Sequence, residues 1–156
     1  MNRDIFEHLF VLEMTNNHLG SVDRGLKIIH DHPDVRVVFK EFPIFGDVSE
    51  RAAAGAIVLK EQGGDVLSLY SELMATHPLD DGAIDRILRA HGVNPDKLSD
   101  PAIHAKAEEQ ILAVRKLAID LGIDGTPAFV IGDTIVPGDD TDAVNTAINQ
   151  ARAHTG

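Results

Sequence analysis

Apolar residues in this chain occur in two patterns, short continuous runs and stripes that recur every three or four positions. Runs rich in β-branched and aromatic residues predict strands, because such side chains suit a half-buried pleated surface. The predicted strands cover residues 9–12, 35–42, 128–131 and 134–136. Gly132 and Asp133 separate the last two strands, and a two-residue turn of this kind predicts a hairpin.

The helical stripes fall between the predicted strands. The predicted helices cover about residues 19–30, 47–62, 66–74, 84–91, a short turn after Asn94, 100–121 and 140–151. Asp47 is expected to cap the second helix, with Glu50 completing a capping box. The order is therefore β–α–β, a block of about five helices over residues 47–121, and β–β–α. This order predicts one α/β domain over residues 1–156, with helices on both faces of a sheet.

The composition and charge exclude some classes of binding partner and bear on the cellular location. The chain has 25 acidic and 14 basic residues and a net charge of −11, which repels nucleic acid and anionic membranes. The longest apolar stretch, residues 52–59, is far below the ~20 residues that span a bilayer. Residues 1–8 do not have the pattern of a signal peptide. The chain as written would therefore stay in the cytoplasm unless a leader was removed from it, and the sequence leaves its true location open.

The 156 residues include no cysteine. Disulfides, thiolate metal sites, iron–sulfur clusters and thiol nucleophiles are therefore excluded within this chain. No pattern in the sequence indicates a cofactor.

The segment Gly125-Thr126-Pro127 stands directly before a predicted strand. Proline cannot donate a ladder hydrogen bond, so it should lie at the start of the strand. One interpretation is a plain helix-to-strand turn. The other is a cis Thr126–Pro127 bond that turns the Thr126 backbone outward, where an extended peptide could pair with it.

Three segments carry a resemblance to a known family, residues 35–46 (VRVVFKEFPIFG), 121–132 (LGIDGTPAFVIG) and 136–138 (VPG). They resemble DsbA-like thiol:disulfide oxidoreductases, which have a thioredoxin-like fold and are mostly periplasmic or exported. The resemblance covers roughly residues 33–153. It implies β-α-β and β-β-α halves joined by the helical insertion. It also implies that Thr126 and Pro127 contact bound substrate, the threonine through its backbone.

The family's Cys-x-x-Cys motif is missing. Depending on the alignment, its two cysteine positions are held by Asn16 and Leu19 or by Thr15 and His18. None of these side chains can exchange disulfides, so thiol–disulfide exchange by this chain is excluded. The sequence therefore predicts either a redox-inactive relative that binds peptides or partner proteins, or a degenerate or misframed family member. The alternative is a glutathione-type transferase or related non-redox enzyme that uses the Thr15 hydroxyl, polarised by a helix N-terminus.

The candidate binding residues are expected to face one another across one groove, with Phe45 nearby: Asn16, Asn17, His18, Thr126 and Pro127. The helix N-terminus would supply N–H groups to an extended peptide or unfolded protein. The charge of −11 favours a basic or neutral peptide. The sequence does not indicate an oligomeric state.

A second polar cluster, His30, His32 and Asp34, has two interpretations. A His-x-His-x-Asp run could hold a metal ion. Histidines at the end of a helix also complement its dipole, and we favour this interpretation. We therefore predict no metal site.

Overall fold

The computed structural model describes residues 8–13 and 19–153, with side chains from residue 25 onward. The elements, with the short 3₁₀ helix left without a number, are β1 His8–Glu13, α1 Leu19–Asp31, β2 Arg36–Glu41, α2 Asp47–Glu61, α3 Val66–Ala75, α4 Asp81–Ala90, the 3₁₀ helix Pro95–Ser99, α5 Pro101–Asp120, β3 Ala128–Ile131, β4 Thr134–Pro137 and α6 Thr141–Ala153. The predicted order of β–α–β, helical block and β–β–α is confirmed.

The strands form a four-stranded sheet in the order β2-β1-β3-β4. β1 pairs antiparallel with β3 in a register from Leu9↔Ile131 to Leu12↔Ala128. β3 and β4 form the predicted hairpin, and Gly132 adopts a positive φ of 55° at its turn. The sheet therefore joins the first and last parts of the sequence, and β2 is one of its edge strands.

The chain forms two compact units, and the first, the sheet unit, includes residues 8–13, 20–40 and 123–153. In this unit α6 packs on β3 and β4. Gly25 of α1 lies so close to Phe39 of β2 that a Cβ would come 2.8 Å from the phenylalanine ring. The core of this unit includes Ile28, Phe39, Phe129, Val144, Ala147 and Ile148.

The second unit, the helical unit, includes residues 41–122 and contains the predicted insertion. Its largest fully buried side chains are Leu69, Tyr70, Leu73, Ile84, Leu88 and Val93. α2 and α5 share a small apolar cluster of Ala53, Ile57, Ala107 and Ile111. In the part of the chain that is described, no helix combines the length and the apolar character that crossing a membrane requires.

Aspartate caps start several helices, but the predicted capping box at Asp47 is wrong. Asp80 and Asp100 each accept a backbone N–H as the cap of α4 and α5. At α2 the cap is Gly46, with φ 74° and no side-chain hydrogen bond, and Asp47 is the first helical residue. Glu50 instead accepts a hydrogen bond from Arg115 of α5, 65 residues away. A local motif could not reveal this competing partner.

Candidate functional site

The Thr126–Pro127 segment directly precedes β3, as the sequence predicts. The peptide bond between the two residues is cis. Pro127 is buried. Its carbonyl accepts a hydrogen bond of 2.8 Å from the backbone N–H of Gly138, just after β4. The segment is thereby fixed to the end of the β3–β4 hairpin.

Thr126 presents a polar atom without a partner. Its Oγ1 is buried and forms no hydrogen bond within the described residues. Buried hydroxyls are normally hydrogen-bonded, so an unpaired one marks a position where a partner group is missing. On the neighbouring Gly125, an added Cβ would meet no atom of the described residues within 4 Å. Before β3 the described residues therefore leave one buried hydroxyl without a partner and no atom close to the position of a Gly125 side chain.

The register of the sheet brings the end of β1 to this segment. Because Leu12 pairs with Ala128, the last residue of β1, Glu13, lies at the same end of the sheet as Pro127. α1 then begins at Leu19.

The predicted groove residues that precede α1 lie outside the described residues. This applies to Asn16, Asn17 and His18, whose approach to Thr126 stays a prediction, and also to Thr15, the candidate hydroxyl of the transferase alternative. Leu19 is described only as the first residue of α1. Phe45 lies between β2 and α2 in the helical unit and is 50% exposed. Its expected position near the groove is also still a prediction.

The cluster around His32 forms a hydrogen-bonded link between α1 and α6. His32 Nε2 lies 2.9 Å from Asn145 Oδ1, and its Nδ1 lies 3.2 Å from an Arg152 nitrogen. Arg152 also donates to both carboxylate oxygens of Asp34. Within the described ranges, no three histidine or acidic side chains are grouped so that they could hold a metal ion. Asn145 and Arg152 were not identified from the sequence, because they follow His32 by more than a hundred residues.

Two carboxylates at this helix end have lowered pKa values. Hydrogen bonds from His30 and then from Lys27 lower the pKa of Asp31 to about 2. The hydrogen bond from Arg152 holds the pKa of Asp34 below its ordinary value. Both groups are exposed, and they stabilise the end of α1 as ionised partners.

A buried carboxylate in the helical unit was also missed. Glu41, at the end of β2, is 6% exposed and accepts a hydrogen bond from the hydroxyl of Tyr70, which is 1% exposed. The sequence contained a signal for this burial. Glu41 follows the buried Phe39 by two positions, and side chains two apart in a strand point to the same face.

The sheet is built from an N-terminal β-α-β part and a C-terminal β-β-α part, and helices are inserted between the two in the sequence. This arrangement defines a thioredoxin-fold protein. A family model described as a DSBA-like thioredoxin domain matches residues 22–149. The chain belongs to this family. The match begins after the positions where the family's cysteines are expected.

Solved structures of thioredoxin-like proteins are also similar to this chain. A periplasmic thioredoxin-like protein from Salmonella enterica serovar Typhimurium is 28% identical, with a TM-score of 0.80 over 94% of this chain and 84% of that one. Proteus mirabilis ScsC, in a compact conformation, is 29% identical, with a TM-score of 0.80 over 96% and 85%. A thioredoxin-like oxidoreductase from Silicibacter pomeroyi is 25% identical, with a TM-score of 0.78 over 98% and 99%. None of the curated proteins matches the chain.

Proposed function

We propose that this protein is a redox-inactive member of the DsbA-like family that binds an extended peptide segment of a partner protein beside Thr126. The observation that carries the proposal is the combination of a chain without cysteine and a Thr126–Pro127 segment at the start of β3. The chain keeps the element that the family uses for substrate contact, and it lacks the thiols that the family uses for chemistry.

The redox part of the proposal follows from the chemistry of disulfide exchange. Exchange requires a thiolate that attacks a disulfide sulfur and forms a mixed disulfide. With no sulfhydryl group in its 156 residues, this chain has no atom that can form that bond.

The binding part is supported by the geometry at β3. The buried Thr126 Oγ1 has no partner among the described residues, and none of their atoms lies within 4 Å of a Cβ built on Gly125. An extended peptide could approach there and supply main-chain donors and acceptors. The net charge of −11 favours basic or neutral peptides, most strongly at low salt.

The test is a titration of the full ¹⁵N-labelled chain with unfolded basic, neutral and acidic peptides. The blocking variant is Gly125→Gln, whose side chain would extend into the open space beside Thr126. The matched control is Gly82→Gln, at an exposed glycine of α4 in the helical unit. We expect amide shifts around Thr126 with basic peptides, a loss of at least about tenfold in affinity in Gly125→Gln, equivalent to about 1.4 kcal/mol, and no change in Gly82→Gln.

An insulin-reduction assay of the same protein should give no rate above buffer. Turnover by the pure chain would contradict the redox part of the proposal. Shifts that are absent near Thr126, or that respond equally to the two glycine variants, would contradict the binding part. The transferase alternative depends on Thr15, and no observation on the described residues favours it.

A further inference from the structure

A groove of about 320 Å³ runs between α2 and α5 in the helical unit. The two helices are antiparallel neighbours, since Glu61 at the end of α2 pairs with Lys106 while Glu50 near its start pairs with Arg115. The side chains that line the groove from α2 are those of residues 47, 50, 51 and 54, an i, i+3, i+4, i+7 spacing that places them on one face of the helix. The groove is thus built on two rigid elements.

The floor of the groove is apolar and includes small side chains. It includes Ala54 on α2 and Ala107 and Ile111 on α5, with Leu98 of the 3₁₀ helix at one side. The two alanines have no atoms beyond Cβ, so the space between the helices above them is left unfilled. Leu112 forms part of the wall and is 52% exposed. A volume of this size is at the lower end of the range for small-molecule sites, roughly 300–1,000 Å³.

The positive charges of the groove are already neutralised. Arg51 donates from Nε and Nη2 to one oxygen of Asp85, at 3.0 and 2.7 Å. Arg115 pairs with Glu50 at 2.5 Å and also donates to the carbonyl of Pro43. Neither guanidinium group therefore offers an uncompensated charge to an anion.

Two negative charges remain. The Asp47 side chain has no hydrogen bond or ion pair with any described residue of the chain, and it lies at one end of the α2 stripe. Among the described residues, the Glu108 carboxylate pairs only with the His104 ring, at 4.0 Å, and both side chains are largely exposed. The lining therefore combines an apolar floor with an unbalanced negative charge.

We propose that this groove is a binding site for a small organic monocation, an apolar body that carries one ammonium or guanidinium group. The apolar body lies on Ala54, Ala107 and Ile111, and the cationic head lies toward Glu108 or Asp47. The net charge of −11 adds to the attraction. This site is independent of the peptide site proposed at Thr126, which belongs to the sheet unit.

The experiment compares three probes of similar shape, 4-phenylbutylamine, 4-phenylbutanol and 4-phenylbutanoate, by titration of the ¹⁵N-labelled chain. We expect the amine to shift the amides of residues 47–54 and 104–115 and to bind more tightly than the alcohol, with the carboxylate weakest. The advantage of the amine over the alcohol should shrink with added salt.

Two adjacent variants on α5 separate the local charge from the total charge. Glu108→Gln should weaken amine binding roughly two- to fivefold, the effect of one exposed ion pair, and leave the alcohol unchanged. Glu109→Gln removes the same charge from an exposed position that does not line the groove, and it should weaken amine binding clearly less than Glu108→Gln does. Ala54→Leu fills the floor and should abolish binding of the amine, with its amide spectrum recorded to verify the fold.

The proposal is overturned if no probe binds at millimolar concentration, or if amine and carboxylate bind equally. It is also overturned if the shifts lie outside α2 and α5, or if Glu109→Gln weakens the amine as much as Glu108→Gln does. A failed peptide titration at Thr126 would leave these outcomes unaffected.

Discussion

At the scale of single residues, the hydrogen bond between Tyr70 and Glu41 is a deeply buried polar contact of the helical unit. Both side chains are nearly inaccessible, with 1% and 6% exposure. A buried acceptor that loses its donor bears the cost of desolvation without compensation. The Tyr70 hydroxyl therefore stabilises the unit through the carboxylate that it satisfies.

We predict that Tyr70→Phe lowers the free energy of unfolding by about 1–3 kcal/mol, because the variant leaves Glu41 without this donor. Urea denaturation measures the change. The matched control is Ser71→Ala, which removes a hydroxyl from the next residue of α3. That hydroxyl is exposed and bonds only to the Leu67 carbonyl of its own helix, so we expect a change within about 0.5 kcal/mol. Equal effects of the two variants would contradict the stabilising role of the hydrogen bond from Tyr70 to Glu41.

At the scale of elements, α2 depends on a small residue where it meets α4. A Cβ added to Gly55 would lie 2.5 Å from Leu88 Cδ2 and 2.7 Å from Cδ1. Leu88 is fully buried, so any shift of its side chain must be accommodated by the surrounding core. Close packing in the core therefore overrides the general preference of helices for alanine over glycine.

We predict that Gly55→Ala destabilises the protein by about 1–3 kcal/mol, the usual cost of overpacking, although alanine is the better helix former. Gly82→Ala in α4 is the control. Its Cβ would make only an ordinary contact, at 3.4 Å from Asp80 Oδ1, and we expect a gain of up to about 1 kcal/mol. Thermal melts of the two variants should shift in opposite directions. A gain in both would show that α2 and α4 are not packed as described.

At the scale of the whole molecule, the charge of −11 makes its stability depend on which carboxylates have partners. Asp34 is paired with Arg152 of α6, and its pKa is lowered by that hydrogen bond first and by its own backbone second. A carboxylate with a lowered folded-state pKa stabilises the fold above its unfolded-state pKa of about 4. This contribution is lost as the pH falls through the lowered value.

We predict that Asp34→Asn is less stable than the wild type at pH 6 and that the difference disappears as the pH falls from about 4 toward 2. Urea midpoints measured across this range provide the test. Asp124→Asn is the control, since Asp124 is exposed and makes no hydrogen bond or ion pair with any described residue. A difference between wild type and Asp34→Asn that persists unchanged at the lowest pH would refute the role of the ionised pair.

The sequence alone determined the order of the elements and the class of fold. Continuous apolar runs and helical stripes are local properties, so both were readable without a structure. The Gly125-Thr126-Pro127 segment was readable for the same reason, because its position follows from the strand that it precedes. The absence of thiol chemistry was fixed by composition.

The tertiary structure decided which residues meet across long stretches of chain. Arg115 takes Glu50 away from the expected capping box, Tyr70 satisfies Glu41, and Asn145 contacts His32, over separations of 65, 29 and 113 residues. The groove between α2 and α5 likewise exists only because antiparallel packing brings alanines from both helices together. Local patterns show which face of an element is apolar, whereas the partner of a polar group depends on how separate elements pack.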